Sequence, residues 1–270
     1  MKVAAIALFR LLFRHMPNER AAALKPIKWY KDLATREGRI EGEAFLVEGA
    51  RAISQVVRNH PSEVREILFT TGLPPQYQKF AHRRVTENQL RSICSSQTPQ
   101  GTAAVIRMPG DIYSDNLPGR TGDKILLLED IQDPGNAGTL IRTAVAFGFS
   151  GVILTEKCAD PLSPKCVQST AGTVLSLWIR RTPDYIKLVK TLKRNSYEFV
   201  AADLEGDEDP SLLLGKKKLL LALGNEASGL SAAVLQAADS RIKIPIDQDK
   251  AESLNVAACG AICMYLSNTL

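Results

Sequence analysis

The chain of 270 residues is 45% hydrophobic and 23% charged, an ordinary balance for a folded protein that excludes extended disorder and collagen-like structure. No run reaches the ~18–20 apolar residues of a membrane span, and at about 150 residues per domain the length predicts one large domain or two small ones. Residues 1–110 hold 17 Lys and Arg against 9 Asp and Glu, whereas residues 111–270 hold 17 against 20. This asymmetry indicates two modules, the first attracted to a polyanion, although a solvated basic surface explains the count equally well.

Residues 1–26 are predicted to be an extension outside the folded modules. The apolar stretch 3–13 is interrupted by Arg10, and no small-residue cleavage site follows it, which disfavours a secretory signal. The extension carries three arginines, and no acid precedes Glu19. Three interpretations therefore stay open: an amphipathic organelle-targeting sequence, a plain docking helix, and an overlong start of the chain. We predict a cytoplasmic protein, with organelle targeting as the alternative.

Residues 27–107 are predicted to form a small α/β module. A charged turn is expected over 37–42, and the stretch 108–123, rich in Pro, Gly and Asp, is interpreted as a linker. Apolar spacing and alternation predict helices at 27–34, 50–59 and 87–94, and strands at 45–47, 64–70 and 102–107.

Residues 124–270 alternate apolar strands with helices, which predicts an α/β fold. The strands are continuous apolar runs such as ILLL and LLLAL, and this favours a mainly parallel sheet covered on both faces. In such a sheet the ligand site is expected in loops at the carboxyl ends of the strands. Strands are predicted at 125–128, 151–155, 197–202, 218–223 and 241–246, and helices at 138–147, 184–194, 231–238 and 253–266, with another beginning at Ser163-Pro164.

Cysteine and histidine usage excludes several chemistries. The five cysteines form no C-x-x-C pair, so neither a disulfide framework nor a zinc ribbon is supported, and a reducing compartment fits. Cys259 and Cys263 lie one helical turn apart in an apolar stretch and are predicted to be small core residues. All three histidines precede residue 111, so chemistry in the back half is not expected to use a Ser–His or Cys–His pair unless one of them reaches across.

The first polar segment, residues 129–148, follows the first strand of the back half. A turn is expected at Asp133–Asn136, and Arg142 then lies in the helix that follows. An arginine at this place can hold an anion or sit beside a nucleophile without losing its charge. The alternative is a surface arginine after an ordinary strand–helix turn.

The second polar segment, residues 219–231, runs from a buried strand into Gly224-Asn225-Glu226, with Gly229 close behind. These glycines let backbone approach a ligand, although a tight turn with a helix-capping acid is the simpler interpretation. The segment matches neither a Walker A loop nor a G-x-G-x-x-G fingerprint, which disfavours a nucleotide-cofactor oxidoreductase.

The third polar segment, residues 241–266, is expected to end a strand at Ile244-Pro245-Ile246 and to begin an Ala-rich helix at Ser253-Leu254-Asn255. Pro245 removes one donor from the sheet, so backbone here is available to another partner. Ser253 also fits a simple role as a helix cap.

Taken together, the motifs DPGNAGTLIRTA, DPLSPKCVQSTAG, LALGNEASGL and IPIDQDKAESLNVA resemble the SpoU/TrmH family of RNA ribose 2′-O-methyltransferases, within the SPOUT superfamily. The resemblance covers about 125–266. It extends more loosely to 27–53, which looks like the start of the family's small substrate-binding module, akin to certain RNA-binding ribosomal proteins.

This resemblance implies an α/β sheet with a deep trefoil knot near its carboxyl end, a homodimer with its active site near the subunit interface, and no metal. The methyl donor is implied to be S-adenosylmethionine. The loop at 247–252 departs from the family pattern, because it lacks the usual glycine and is one residue longer, which bears on donor affinity and loop geometry. The implied donor-binding residues are Gly224, Ile244 and Leu254, and the implied catalytic set is Asn136, Arg142, Glu226, Ser253 and Asn255.

The resemblance also implies that Arg142 contacts the ribose hydroxyl or an adjacent phosphate, and that the basic front module contacts RNA. The separate front module favours ribosomal over transfer RNA as the substrate. A non-catalytic RNA-binding protein with a dimerisation scaffold is the other alternative. Candidate RNA contacts are Arg36, Arg39, Arg51, Arg83 and Arg84.

Overall fold

The structure, a computed structural model, describes residues 25–96, 98–247 and 249–269. The prediction made for the amino-terminal extension therefore falls, up to residue 24, outside the described residues. Within the described part of the chain, no helix combines the length and apolarity needed to cross a bilayer.

The front module is a four-stranded sheet in the order β1-β4-β2-β3, in which β4 runs antiparallel to both of its neighbours and β3 runs parallel to β2. Its strands are β1 (Ala44–Glu48), β2 (Val64–Phe69), β3 (His82–Arg84) and β4 (Thr102–Arg107), and its helices are α1 (Ile27–Asp32), α2 (Arg36–Gly42), α3 (Ala50–Asn59) and α4 (Glu87–Ile93).

The back module is a six-stranded, fully parallel sheet in the order β10-β8-β9-β5-β6-β7. This arrangement confirms the predicted parallel α/β fold, whereas the knot stays a prediction. Its strands are β5 (Lys124–Leu128), β6 (Gly151–Leu154), β7 (Trp178–Arg181), β8 (Glu198–Ala202), β9 (Leu219–Leu223) and β10 (Ser240–Ile242), and its helices are α5 (Pro134–Ala146), α6 (Pro164–Thr170), α7 (Tyr185–Arg194), α8 (Ala232–Ala237) and α9 (Val256–Asn268).

Both faces of the large sheet are buried, and one of them is shared with the front module. Leu126 and Leu128 of β5 belong to the same apolar cluster as Phe45 and Val47 of β1. The alternate residues of β5 pack into a separate cluster against α7. The two modules therefore share a hydrophobic core.

Several elements differ from prediction, and three of these differences have a clear local reason. The turn expected over 37–42 is helix α2, which Thr35 caps by accepting a hydrogen bond from the Gly38 amide. Helix α5 begins at Pro134 rather than 138, since Asp133 is its cap and proline suits the first turn. Strand β10 ends at Ile242 and not at 246, because the chain leaves this edge strand ahead of Pro245.

Segment 108–123 contains no helix or strand, yet it packs closely along β7. The Ile112 carbonyl accepts a hydrogen bond from the Arg181 amide, and Trp178 Nε1 donates to the Thr121 carbonyl at 2.9 Å. Buried Arg180 donates to the Asn116 carbonyl at 2.7 Å. These bonds fix the segment as an ordered connection between the modules.

Candidate active site

Three segments that lie far apart in the sequence meet through a short chain of hydrogen bonds. Asn136 Nδ2 donates to Glu226 Oε1 at 2.7 Å, and Asn255 Nδ2 donates to Asn136 Oδ1 at 3.2 Å. The first, second and third polar segments thus share one site, at the carboxyl ends of β5 and β9 and the start of α9.

Local helix geometry determines which side chain donates and which accepts in these hydrogen bonds. Asn255 Oδ1 caps α9 by accepting from the Ala257 amide at 2.9 Å, so only its Nδ2 is left to face Asn136. Asn136 must then accept with Oδ1 and donate with Nδ2, which requires an acceptor at Glu226. Asp133 accepts from the Asn136 amide at 2.8 Å, and this bond lowers the pKa of the Asp133 carboxyl and holds Asn136 in the first turn of α5.

Beside these side chains lies a cavity of about 320 Å³ between the second and third segments. Its lining is largely apolar, but it also carries the carboxylates of Glu205 and Glu226, and that of Asp203, which pairs with Arg241. None of the described residues that line it is a lysine, arginine or histidine. An apolar wall with acidic groups and no basic ones suits a flat organic ligand with positive charge. The sulfonium and ammonium groups of S-adenosylmethionine match that requirement.

The loop that forms one wall of the cavity depends on a close backbone approach at Gly224. The Asn225 and Gly229 backbones pair with each other across the loop, at 3.1 and 2.9 Å. A Cβ placed on Gly224 would lie 2.4 Å from the Gly229 carbonyl carbon and 2.5 Å from the Leu230 nitrogen. The loop can therefore close only with glycine at this position.

Replacing Gly224 by alanine is expected to weaken S-adenosylmethionine binding by about tenfold or more, since forcing extra volume into a packed site costs roughly 1–3 kcal/mol and 1.4 kcal/mol is a factor of ten. Isothermal titration calorimetry measures the change. Gly119→Ala is the matched control, because nothing lies within 4 Å of a Cβ added there. Equal affinity in Gly224→Ala and the parent chain would show that loop closure does not shape the donor site.

The other predicted residues divide into two groups. Ile244, Ser253 and Leu254 line the cavity with Gly224, but Ser253 is not the helix cap, a role that Asn255 fills. Arg142 is exposed and has no hydrogen-bond or ion-pair partner among the described residues. It lies six residues beyond Asn136, about 9 Å further along α5, outside the hydrogen-bonded group.

Sequence reasoning missed three acidic residues of this region. Asp203 and Glu205 follow β8 and line the cavity, while Glu129 is buried at the end of β5. An acid directly after an apolar strand, as in ILLLE, is the signal that could have found Glu129.

In the described part of the chain, no histidine or cysteine side chain is hydrogen-bonded to Asn136, Glu226 or Asn255. His60 reaches across the modules to Ser176 Oγ at 3.2 Å, but Ser176 does not line the cavity described above. Cys263 is buried, as predicted, whereas Cys259 is only half-buried and lines the cavity. Among the residues described, no cluster of three or more His, Cys, Asp or Glu could hold a metal ion.

One predicted RNA contact is wrong. Arg39 is only 2% exposed, pairs with Asp160 Oδ2 at 2.9 Å and donates to the Leu33 and Ala34 carbonyls. Its charge is therefore used inside the protein and cannot meet a phosphate. The remaining candidates are accessible to different degrees: Arg36 stacks on Tyr113, Arg83 and Arg84 hydrogen-bond to nearby carbonyls, and Arg51 is exposed.

Both modules of the chain are similar to known proteins. The SpoU rRNA Methylase family matches residues 123–265, and the MRM3-like substrate binding domain matches residues 25–104. The 23S rRNA (guanosine(2553)-2′-O)-methyltransferase RlmP of Bacillus subtilis is 31% identical over 255 residues, which cover 93% of this chain and 98% of that protein. The 23S rRNA (uridine(2479)-2′-O)-methyltransferase of Streptomyces viridochromogenes is 29% identical over 88% of this chain and 87% of its own length.

Among solved structures, the SpoU methyltransferase AviRb from Streptomyces viridochromogenes, in complex with the cofactor AdoMet, aligns with a TM-score of 0.78 at 28% identity over 90% of this chain and 96% of that one. The fold is that of an α/β methyltransferase. The chain belongs to the SpoU rRNA methylase family. It is accordingly an RNA ribose 2′-O-methyltransferase that uses S-adenosylmethionine, as the sequence resemblance implied.

Proposed function

We propose that this chain methylates a ribose 2′-hydroxyl in ribosomal RNA at the site described above. The hydrogen-bonded chain from Asn255 through Asn136 to Glu226, beside a cavity suited to a cationic donor, is the observation that carries the proposal. The proposed catalytic set is Asn136, Arg142, Glu226, Ser253 and Asn255, and the proposed donor-binding residues are Gly224, Ile244 and Leu254.

The reaction requires the protein to align a weak nucleophile, the ribose hydroxyl, whose proton is released to water as the oxygen takes the methyl group. S-adenosylmethionine, when bound, supplies a methyl group already activated on a sulfonium sulfur. Arg142 meets the ribose hydroxyl or the adjacent phosphate and stabilises the negative charge that develops on the oxygen. Asn136 and Glu226 orient the substrate, whereas Arg142 lies outside their hydrogen-bonded group. Ser253 and Asn255 hold the third segment against the cavity.

Incubating the purified protein with methyl-labelled S-adenosylmethionine and unmodified RNA tests this function. Label is expected in ribosomal RNA, at a nucleotide whose 2′-O-methyl group makes its 3′ phosphodiester resistant to alkali. Label confined to transfer RNA would support the transfer RNA alternative. RNA binding without any S-adenosylmethionine binding in calorimetry would support a non-catalytic RNA-binding protein.

The front module is proposed to hold the RNA through its basic surface. The relatives named above act on 23S rRNA by name, and the exposed Arg36 and Arg51 supply charge that phosphates attract.

RNA affinity is expected to fall steeply with salt, by about tenfold or more between 50 and 200 mM, because each neutralised phosphate releases a counterion. Filter binding at several salt concentrations gives the slope. Arg51→Ala is expected to reduce the slope by about one contact, and Lys187→Ala, an exposed cation of the back module, serves as the control. A slope near zero would exclude phosphate-dominated binding.

We further propose that the protein is cytoplasmic and forms a homodimer through α5 and α9. Tyr265, 55% exposed, and Ile262 present apolar surface on α9, and the Tyr265 ring lies edge-on to Phe147 at 6.0 Å. Exposed apolar groups of this kind mark association surfaces. Light scattering is expected to give twice the chain mass, and half that mass for Ile262→Glu.

A further inference from the structure

A buried carboxylate stands behind the loop that walls the donor cavity. Glu129, at the carboxyl end of β5, is only 4% exposed and accepts three hydrogen bonds. Its Oε2 accepts from the Ser231 amide at 2.7 Å, and its Oε1 accepts from Ser231 Oγ at 2.6 Å and Tyr185 Oη at 2.8 Å. Among the described residues it has no basic partner within salt-bridge distance, so these three hydrogen bonds stabilise the buried carboxylate.

Ser231 is the last residue of the loop 224–231, which walls the cavity. It also caps α8, accepting from the Val234 amide at 3.3 Å. The beginning of the loop is bonded to Asp130, the residue that follows Glu129, since Asn225 Nδ2 donates to the Asp130 carbonyl at 2.8 Å. Asp130 itself takes a left-handed backbone conformation, with φ of 56°. The beginning and the end of the loop are therefore hydrogen-bonded to two consecutive residues, 130 and 129.

Moving the loop away from this position costs free energy. A buried carboxylate that loses its donors is left with an uncompensated charge, which is far more costly than a neutral gap. If Ser231 moved away, Glu129 would lose two of its three bonds at once. Burial and the bond to Glu129 raise the pKa of Tyr185 to about 12, so the third partner remains a donor at neutral pH.

We propose that Glu129 is a positioning residue that fixes the loop 224–231 in its donor-binding shape before S-adenosylmethionine arrives. This inference rests on the proposed function, since it assigns Glu129 to the donor site of that reaction. A preformed loop improves affinity because less ordering is left to the binding step. Glu129 touches neither donor nor RNA in this scheme and acts through Ser231.

Glu129→Gln keeps the shape of the side chain but replaces one acceptor oxygen with a donor. We expect the Kd and KM for S-adenosylmethionine to rise about tenfold, a loss of about 1.4 kcal/mol, while kcat at saturating donor and the affinity for RNA stay within twofold. Hydrogen exchange of the donor-free protein is expected to show faster exchange of the Gly229 and Ser231 amides. Glu198→Gln is the matched control, because Glu198 pairs with Lys216 at the opposite edge of the sheet, at the start of β8, which β9 separates from β5.

Two milder variants separate positioning from folding. Tyr185→Phe and Ser231→Ala each remove one donor to Glu129 and leave the carboxylate in place, so each is expected to weaken donor binding by a smaller factor; they decide the matter if Glu129→Gln does not fold. A parent-like Kd and unchanged loop exchange in these folded variants would overturn the positioning role alone. Failure of the parent chain to bind S-adenosylmethionine would overturn the proposed function as well.

Discussion

Arg142→Ala is expected to lower turnover by about 10²–10⁴-fold, the usual range for losing a positioned group that assists proton transfer or stabilises developing charge. Donor affinity is expected to stay unchanged, because Arg142 does not line the cavity. The folded protein should be equally stable, because this exposed guanidinium has no hydrogen-bond or ion-pair partner in the described part of the chain. A single-turnover methyl-transfer assay with saturating donor measures the effect.

Two comparisons give this result its meaning. Arg142→Lys keeps the positive charge but loses the planar fork, so partial activity in this variant would indicate a largely electrostatic role and no activity a bidentate one. Arg194→Ala removes another exposed arginine, from the last turn of α7, and should leave turnover unchanged. Full activity in Arg142→Ala would remove Arg142 from the catalytic set.

Elements with regular apolar spacing were predictable, and elements that depend on charged residues were not. Helix α3 and strand β4 match their predicted bounds, because their buried side chains repeat with helical and strand periods. Helix α2 was missed because its one buried residue is Arg39. Strand β7, with sequence WIRR, was missed because two arginines interrupt the apolar run, although Arg180 is buried through contacts with a segment about 65 residues away.

The site was predictable where a motif places polar groups at strand ends, and it was not where contacts depend on the tertiary fold. The parallel sheet brings Asn136, Glu226 and Asn255 together, as the strand-end rule anticipates. The role of Arg39 could not be read from a basic stretch, since only its burial against Asp160 separates it from a solvated RNA contact. Glu129 was missed because its hydrogen-bond partners lie 56 and 102 positions away in the sequence.

Asp160→Ala is expected to lower the free energy of unfolding by about 3–5 kcal/mol, because it leaves the guanidinium of Arg39 buried without its counter-ion. Asp160 Oδ2 accepts from Arg39 and, at 2.9 Å, from Tyr113 Oη, and Oδ1 accepts from the Leu162 amide at 2.8 Å. This carboxylate therefore joins the front module, the connecting segment and the back module at one point. Urea unfolding measures the loss, with Asp207→Ala as an exposed control of the same charge change.

The chain's two tryptophans allow each module to be followed separately, since Trp29 lies in α1 and Trp178 in β7. Single-tryptophan variants of the parent chain are expected to unfold at one common midpoint, because the modules share a core. Adding Arg39→Met to Asp160→Ala removes the stranded charge while keeping apolar bulk, so it should recover part of the lost stability. A loss below about 1 kcal/mol in Asp160→Ala, the size typical of a solvated pair, would show that water already reaches Arg39 and that the shared apolar core alone joins the modules.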